Sequence, residues 1–275
     1  MRKIAHLVNP FLVSDPNDDN AFAQPVTFET MKRARDFAAG TVEVSFYSTQ
    51  YPEDYPIIPA WLVKTPDLAR SVYDLGAFQK KRKLPLLADI LDRLYEASPQ
   101  AEYLIYSNVD IGLMPHFYLA VDNLIESGYD AFVINRRTIK KYRRLDELPK
   151  MYAAIGDWHW GHDCFVYRRE VYPQYRLGAI CIGTRKVGRV LLWNLIVHAR
   201  KFRELKHNKH LTFHLGNDPL SKRPEYADYD AHNLAEARRI LAELERDYGP
   251  FPESHPMQQF PIHDIPFGKI ARRDL

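Results

Sequence analysis

Cysteine is scarce in this chain: Cys164 and Cys181 are the only two among 275 residues, and they lack CxxC spacing. A disulfide scaffold is thereby excluded, and reduced thiols suit a cytoplasmic setting. Long apolar runs are also missing. The greasiest stretch, Val190–Val197, contains an asparagine and falls far short of the roughly 20 residues that span a bilayer. The opening MRKIAHLVNPF reaches Asn9-Pro10 too soon for a signal segment, so a soluble protein with no transmembrane segment is expected. Neither an N-x-[ST] acceptor nor an internal repeat occurs. An excess of one charge is lacking as well. With 38 basic and 35 acidic residues the net charge is +3, which gives no general attraction for nucleic acid. Basic residues do cluster in Lys80-Lys81-Arg82-Lys83 and from Arg136 to Arg144; such runs are solvated faces or phosphate contacts.

What is present is an ordinary globular composition, 46% hydrophobic and 27% charged, long enough for one large domain. Ile4–Val8 reads as a strand. A helix carries Phe28, Met31, Ala34 and Ala38 on one face, with Thr27 as its expected cap and Gly40 as its stop. Thr41–Ser48 alternates as a second strand, so the chain opens β-loop-α-β, the start of a parallel sheet. Residues 50–83 are proline-punctuated and irregular. Pro85 opens a helix bearing Leu87, Ile90, Leu91 and Leu94, and further strands are expected at 103–106, 129–135, 164–167 and 210–215. Apolar helices are expected at about 115–127, 189–202 and, capped by Asp230, up to Gly249. The expectation is an α/β, Rossmann-like, mainly parallel twisted sheet with helices on both faces. It would form a single domain over 1–249, with a nucleotide-binding half (1–135) and a less regular acceptor-side half (136–249). A proline-rich tail follows at 250–275.

The chemistry concentrates at Ala101–Phe117. The apolar run Tyr103–Tyr106 ends in Ser107-Asn108-Val109-Asp110, and Pro115 opens an amphipathic segment. Strand, acidic tip, helix places a carboxylate at the carboxyl edge of a sheet, where ligands bind. An acid there is costly to dehydrate without a cation or donor. The bland alternative is an Asp110 that merely caps the next helix.

This strand–small polar–x–Asp–helix order resembles the D-x-D region of the GT-A glycosyltransferases, with Asn108 in place of the first acid. The resemblance implies a nucleoside-diphosphate sugar as donor, a hydroxyl-bearing carbohydrate or other acceptor, and Mn²⁺ or Mg²⁺ held by Asp110. It also implies His214 as a late histidine completing the metal shell, and Asn108 at the ribose or at metal-bound water. A divalent ion suits the chemistry, because the departing diphosphate accumulates negative charge. The seven residues Asp157–Asp163 pack two tryptophans, two histidines, a glycine and two acids. Trp158, Trp160 and His162 offer an acceptor platform, and Asp163 a carboxylate to take a hydroxyl proton. Residues near the strand ends, Asn9, Pro10, Phe11, Gln24 and Thr27, are donor-pocket candidates, with Arg82, Lys83 and Arg136 as phosphate contacts and Arg137 beside them.

Two other classes compete. His159, His162, Asp163, His210, His214 and Asp218 contain the residue types of a metal hydrolase, though no HExxH or similar spacing is present. Asn108, which brings no charge, also suits a nucleotide- or carbohydrate-binding module on a transferase-like fold.

Overall fold

The computed structural model describes residues 1–206, 210–216 and 227–262. Nine strands form one sheet: β1 (Arg2–Val8), β2 (Val42–Ser48), β3 (Val63–Lys64), β4 (Tyr103–Ser107), β5 (Ile111–Leu113), β6 (Ala131–Ile139), β7 (Asp157–Arg168), β8 (Phe202–Leu205) and β9 (Thr212–Leu215). The helices are α1 (Asp19–Phe37), α2 (Leu87–Ala97), α3 (Phe117–Glu126), α4 (Leu148–Ala153), α5 (Val187–His198) and α6 (Ala227–Tyr248). The strand order is β3-β2-β1-β4-β7-β6-β9-β5, with β8 beside β6. The expected α/β, Rossmann-like class is the one observed. The sheet is mixed, because β7 runs antiparallel to both β4 and β6.

Alternation along the strands builds two cores. Ala5, Leu7, Leu104, Tyr106, Val133 and Phe165 face α2, α5 and α6. Ile4, Val8, Ile105, Phe132, Ile134 and Val166 face α1 and α3 on the other side. Strands buried on both faces read as continuous apolar runs, which is why YLIY and AFVI stood out in the sequence. His6, on β1, is fully buried. Its Nδ1 lies 2.7 Å from the Tyr118 hydroxyl and its Nε2 2.8 Å from Ser107 Oγ.

Local details depart from expectation. α1 begins at Asp19, capped by Asp18, whose carboxylate accepts from Asn20 N–H. Thr27 is thus inside the helix, one turn or more beyond the cap, because the polar stretch Asp15–Asn20 supplies an earlier N-cap. Asp110 does not cap a helix, since β5 intervenes before α3. The strand expected at 164–167 starts earlier: the tryptophan-rich run is the first half of β7, a 12-residue strand. α5 ends at His198, and Phe202 opens β8 instead of closing the helix. Asp230 lies in the first turn of α6, where it binds Thr184 and the Arg185 N–H. The tail packs down as far as it is described: Met257 and Phe260 are buried, and the Phe260 carbonyl accepts from Trp193 Nε1 at 2.8 Å. Pro266 lies outside the described residues. Both cysteines are buried thiols; burial pushes Cys181 up to about 12 and Cys164 higher still.

Candidate functional site

The topology brings the chemistry-bearing segments to one rim. β1, β2 and β4 are parallel, so Asn9, Thr49 and Asn108 follow their strands on the same side. β6 is antiparallel to β7, which is antiparallel to β4, so β6 runs with β4 and delivers Asn135–Arg137 to that edge. β9 is parallel to β6 and ends there at Leu215, while β7 begins there with Asp157–Asp163.

Asp110 sits at the tip of a tight turn closed by the Ile111 N–H donating to the Asn108 carbonyl. β5 is pinned to α1, because the Leu113 N–H donates to Thr30 Oγ1 at 3.0 Å. β5 also pairs with β9 in the register Ile111↔His214. His214 therefore comes to Asp110, with Nε2 3.1 Å from Oδ2. Its Nδ1 donates to the Gly216 carbonyl at 2.7 Å, which fixes the ring and points Nε2 at the carboxylate. Burial alone would raise the Asp110 carboxyl. The neighbouring His214 imidazole, its hydrogen bond and the nearby Arg136 outweigh burial and hold it down to about 2. The other oxygen, Asp110 Oδ1, is buried with no hydrogen-bond donor among the described residues.

Beside this pair the β6–β7 ladder is irregular. Ile134 faces Cys164, Asn135 faces His162, and Arg137 faces Trp158, so Arg136 and Asp163 have no ladder partner. Bulges re-aim side chains out of the strand alternation, and here they turn Arg136 and Asp163 to each other, Nη1 to Oδ2 at 3.2 Å. That contact lacks hydrogen-bond alignment, and Arg136 Nε has no partner among the described residues. Asp163 Oδ1 accepts from Asn108 Nδ2 at 2.9 Å, and its carbonyl accepts from the Asn108 N–H. Arg136 and Asp163 are 9% and 8% exposed, so this is a buried ion pair at the rim. His159 lies against it: Nδ1 accepts from the Gly161 N–H at 2.8 Å, and Nε2 is 3.4 Å from Arg136 Nη2. Burial and the Arg136 charge push its imidazole down to about 4, so it is neutral.

Most sequence-predicted residues can be placed. Asn108, Asp110, Arg136, Asp163 and His214 gather at one point. His162 turns away to Glu204 of β8, 3.0 Å distant, and stacks edge-on against Phe260 of the tail. Burial would raise Glu204, but the His162 contact holds it below the usual range. Trp158 is half-buried in β7, whereas the Trp160 side chain lies outside the described residues. On the donor side, Asn9 Nδ2 donates to the Thr49 carbonyl at 2.5 Å. Gln24 is buried and bonds both backbone groups of Phe11. Thr27 is fully buried within α1, Pro10 is buried and Phe11 is 40% exposed. Lys83 pairs with Glu53 at 2.5 Å and lies over the Tyr51 ring, and the Arg82 N–H donates to the Tyr229 hydroxyl. Arg137 is directed to His210, 2.8 Å away, and to the carbonyls of Met151 and Tyr152.

The histidines thus go to separate partners, and among the described residues no three His, Cys, Asp or Glu groups converge as a metal cluster. Asp218 lies outside the described residues. Glu204 is the site residue that sequence reasoning did not single out, whereas His159 enters that reasoning only as part of a metal-hydrolase set. Glu204 carries no local signal, since only the β6–β8 register brings it to His162.

No protein-family model matches the chain, and no curated protein matches it. Among solved structures, likenesses extend over most of its length. TarS from S. aureus is 9% identical with a TM-score of 0.48; the match covers 88% of this chain and 42% of TarS. The mannosyltransferase PcManGT from Pyrobaculum calidifontis, in complex with GDP-Man and Mn²⁺, is 14% identical with a TM-score of 0.48, covering 93% of this chain and 68% of that one. A 4-diphosphocytidyl-2C-methyl-D-erythritol synthase from Anaerococcus prevotii is 9% identical with a TM-score of 0.42, covering 84% and 98%. This chain spans less than half the length of TarS. At these values the neighbours assign no reaction to it, and function must be argued from its own residues. No helix among the described residues is long and apolar enough to cross a membrane.

Proposed function

We propose that this protein transfers a glycosyl group from a nucleoside-diphosphate sugar to a hydroxyl-bearing acceptor, assisted by Mn²⁺ or Mg²⁺. The observation that carries this reading is the buried, donorless Oδ1 of Asp110, beside His214 and at the same rim as the buried Arg136. An anionic oxygen without a donor is costly inside a protein unless a cation reaches it. Asp110 and His214 provide hard-oxygen and imidazole donors that suit either ion. Two protein donors fit an ion whose remaining positions are filled by phosphate and water. When bound, the ion would neutralise charge developing on the departing diphosphate.

The chain's own residues do the rest. Asn108 replaces an acid and keeps an acceptor for a ribose hydroxyl while its amide steadies Asp163. Asn9, Pro10, Phe11 and Gln24 shape the donor side, and Arg136, beside Asp163 and near Asp110, is the cation offered to phosphate. Trp158 and Trp160, which precede Asp163 on the same strand, are the acceptor-side candidates, while His162 is committed to Glu204. Asp163 orients the acceptor hydroxyl. In an inverting transfer it takes the hydroxyl proton as the acceptor oxygen bonds the anomeric carbon and the bond to the diphosphate breaks.

UDP or GDP with Mn²⁺ should raise the melting temperature of the protein. No shift with any nucleoside diphosphate, with or without metal, would remove the transferase reading. A second reading, a binding module without turnover, is favoured by one observation: Asp163 is already engaged by Asn108 and Arg136. A nucleotide shift with no turnover of any donor sugar would select it.

A further inference from the structure

The Arg136–Asp163 pair has an unusual balance. A guanidinium has five N–H donors. Only 9% exposed, Arg136 has among the described residues one unaligned contact to a carboxylate, a 3.4 Å approach to His159, and an orphaned Nε. Asp163 is better served, since Asn108 secures its other oxygen and its backbone carbonyl. The acid is therefore anchored, while the base is loosely held and short of acceptors. A diphosphate is rich in acceptor oxygens at the spacing a guanidinium fork prefers.

We propose that Arg136 is a partner-exchanging switch: it leaves Asp163 for the diphosphate when the donor binds, and so releases the Asp163 carboxylate for the acceptor. The inference rests on the transferase reading and deepens it by assigning an order, donor before acceptor. Until the donor is present, the Arg136 guanidinium stands 3.2 Å from Asp163 Oδ2, in the place an acceptor hydroxyl would have to enter. Once Arg136 has moved, Asp163 remains in place on Asn108, with the Oδ2 lone pairs free. Donor and acceptor sites are coupled through one side chain, and the coupling is reciprocal.

The switch predicts the sign of a substitution. Asp163 competes with the diphosphate for Arg136, so Asp163→Asn, which keeps the shape and an acceptor for Asn108, should tighten binding of UDP or GDP in Mg²⁺ roughly three- to tenfold by calorimetry. Arg136→Gln should weaken it about tenfold or more. The gain from Asp163→Asn should vanish in the Arg136→Gln background, a non-additivity that a double-mutant cycle reads directly. The double variant buries no unpaired charge, which guards against a folding failure of Arg136→Gln alone. Weaker or unchanged nucleotide affinity in Asp163→Asn would overturn the switch and make the acid a fixed support for Arg136. A gain that persists without Arg136 would overturn it too. Failure of the wild type to bind either nucleotide would instead refute the transferase reading itself.

Discussion

Replacing Asp110 with asparagine tests the centre of the proposed site while keeping its shape. Asp110 is one of two protein donors available to a cation, and the only charged one. Even outer-shell partners of metal ligands are worth about 10–100-fold in affinity, so loss of the ligand's charge should cost about 100-fold. At a nucleotide–metal concentration about 100 times the wild-type dissociation constant, binding stabilises the fold by about 2.7 kcal/mol. For 275 residues, an unfolding entropy of about 2.1 cal/mol/K per residue converts that to a shift of about 5 °C. A 100-fold loss leaves about 0.4 kcal/mol, under about 1 °C. The assay is a thermal melt of wild type and Asp110→Asn with Mn²⁺ alone, UDP or GDP alone, and both together. Mn²⁺ alone should do little to either protein, because two donors hold an ion weakly without phosphate. A full shift in the variant would refute a cation role for Asp110, whatever the activity.

Turnover should fall about 10²–10⁴-fold in Asp163→Asn if that carboxylate takes the acceptor proton, read as kcat with a donor sugar that wild type uses; undiminished kcat would refute the assignment. Burial lowers His6 from 6.5 to about 3, so between those values the unfolded chain binds a proton that the folded chain refuses. Stability should therefore fall as pH drops below about 6.5, by up to about 1.4 kcal/mol per pH unit from this group. Denaturant unfolding at pH 4–6 should show His6→Gln losing about one proton of that slope, and equal slopes would contradict a neutral buried imidazole. A methyl group at Gly112 would collide with the Phe213 ring across the β5–β9 pair. Gly112→Ala should cost about 1–3 kcal/mol and, by shifting Asp110 against His214, weaken metal-dependent nucleotide binding. A stable variant with unaltered binding would show that this contact does not set the pair.

The parts of the site legible in the sequence were those marked locally. An apolar run ending in Asn108-Val109-Asp110 announced a rim carboxylate, whereas His214 was expected only from the resemblance and not from any local pattern. What stayed hidden was register. Nothing in WHWGHD marks the start of a strand, because the bulges interrupt the alternation by which a strand is recognised. Those same bulges bring Arg136 to Asp163, so the pairing escaped a reading based on periodicity. Thr27 as a cap failed because a nearer polar run, Asp15–Asn20, started the helix earlier. Glu204 could be found only by pairing strands some seventy residues apart in sequence.

β9 lies between β5 and β6 and takes its alignment from both. A slip of a single residue would swing His214 to the opposite side of the sheet and strand Asp110 alone. The donor pair thus forms only after the last strand has docked against two segments made much earlier in the chain. On the proposed function, a nascent or partly melted protein, even with its first half in place, would have no grip on a metal–nucleotide complex. Ligand capture then reports that assembly is finished, and it would tend to shield the final strand from fraying.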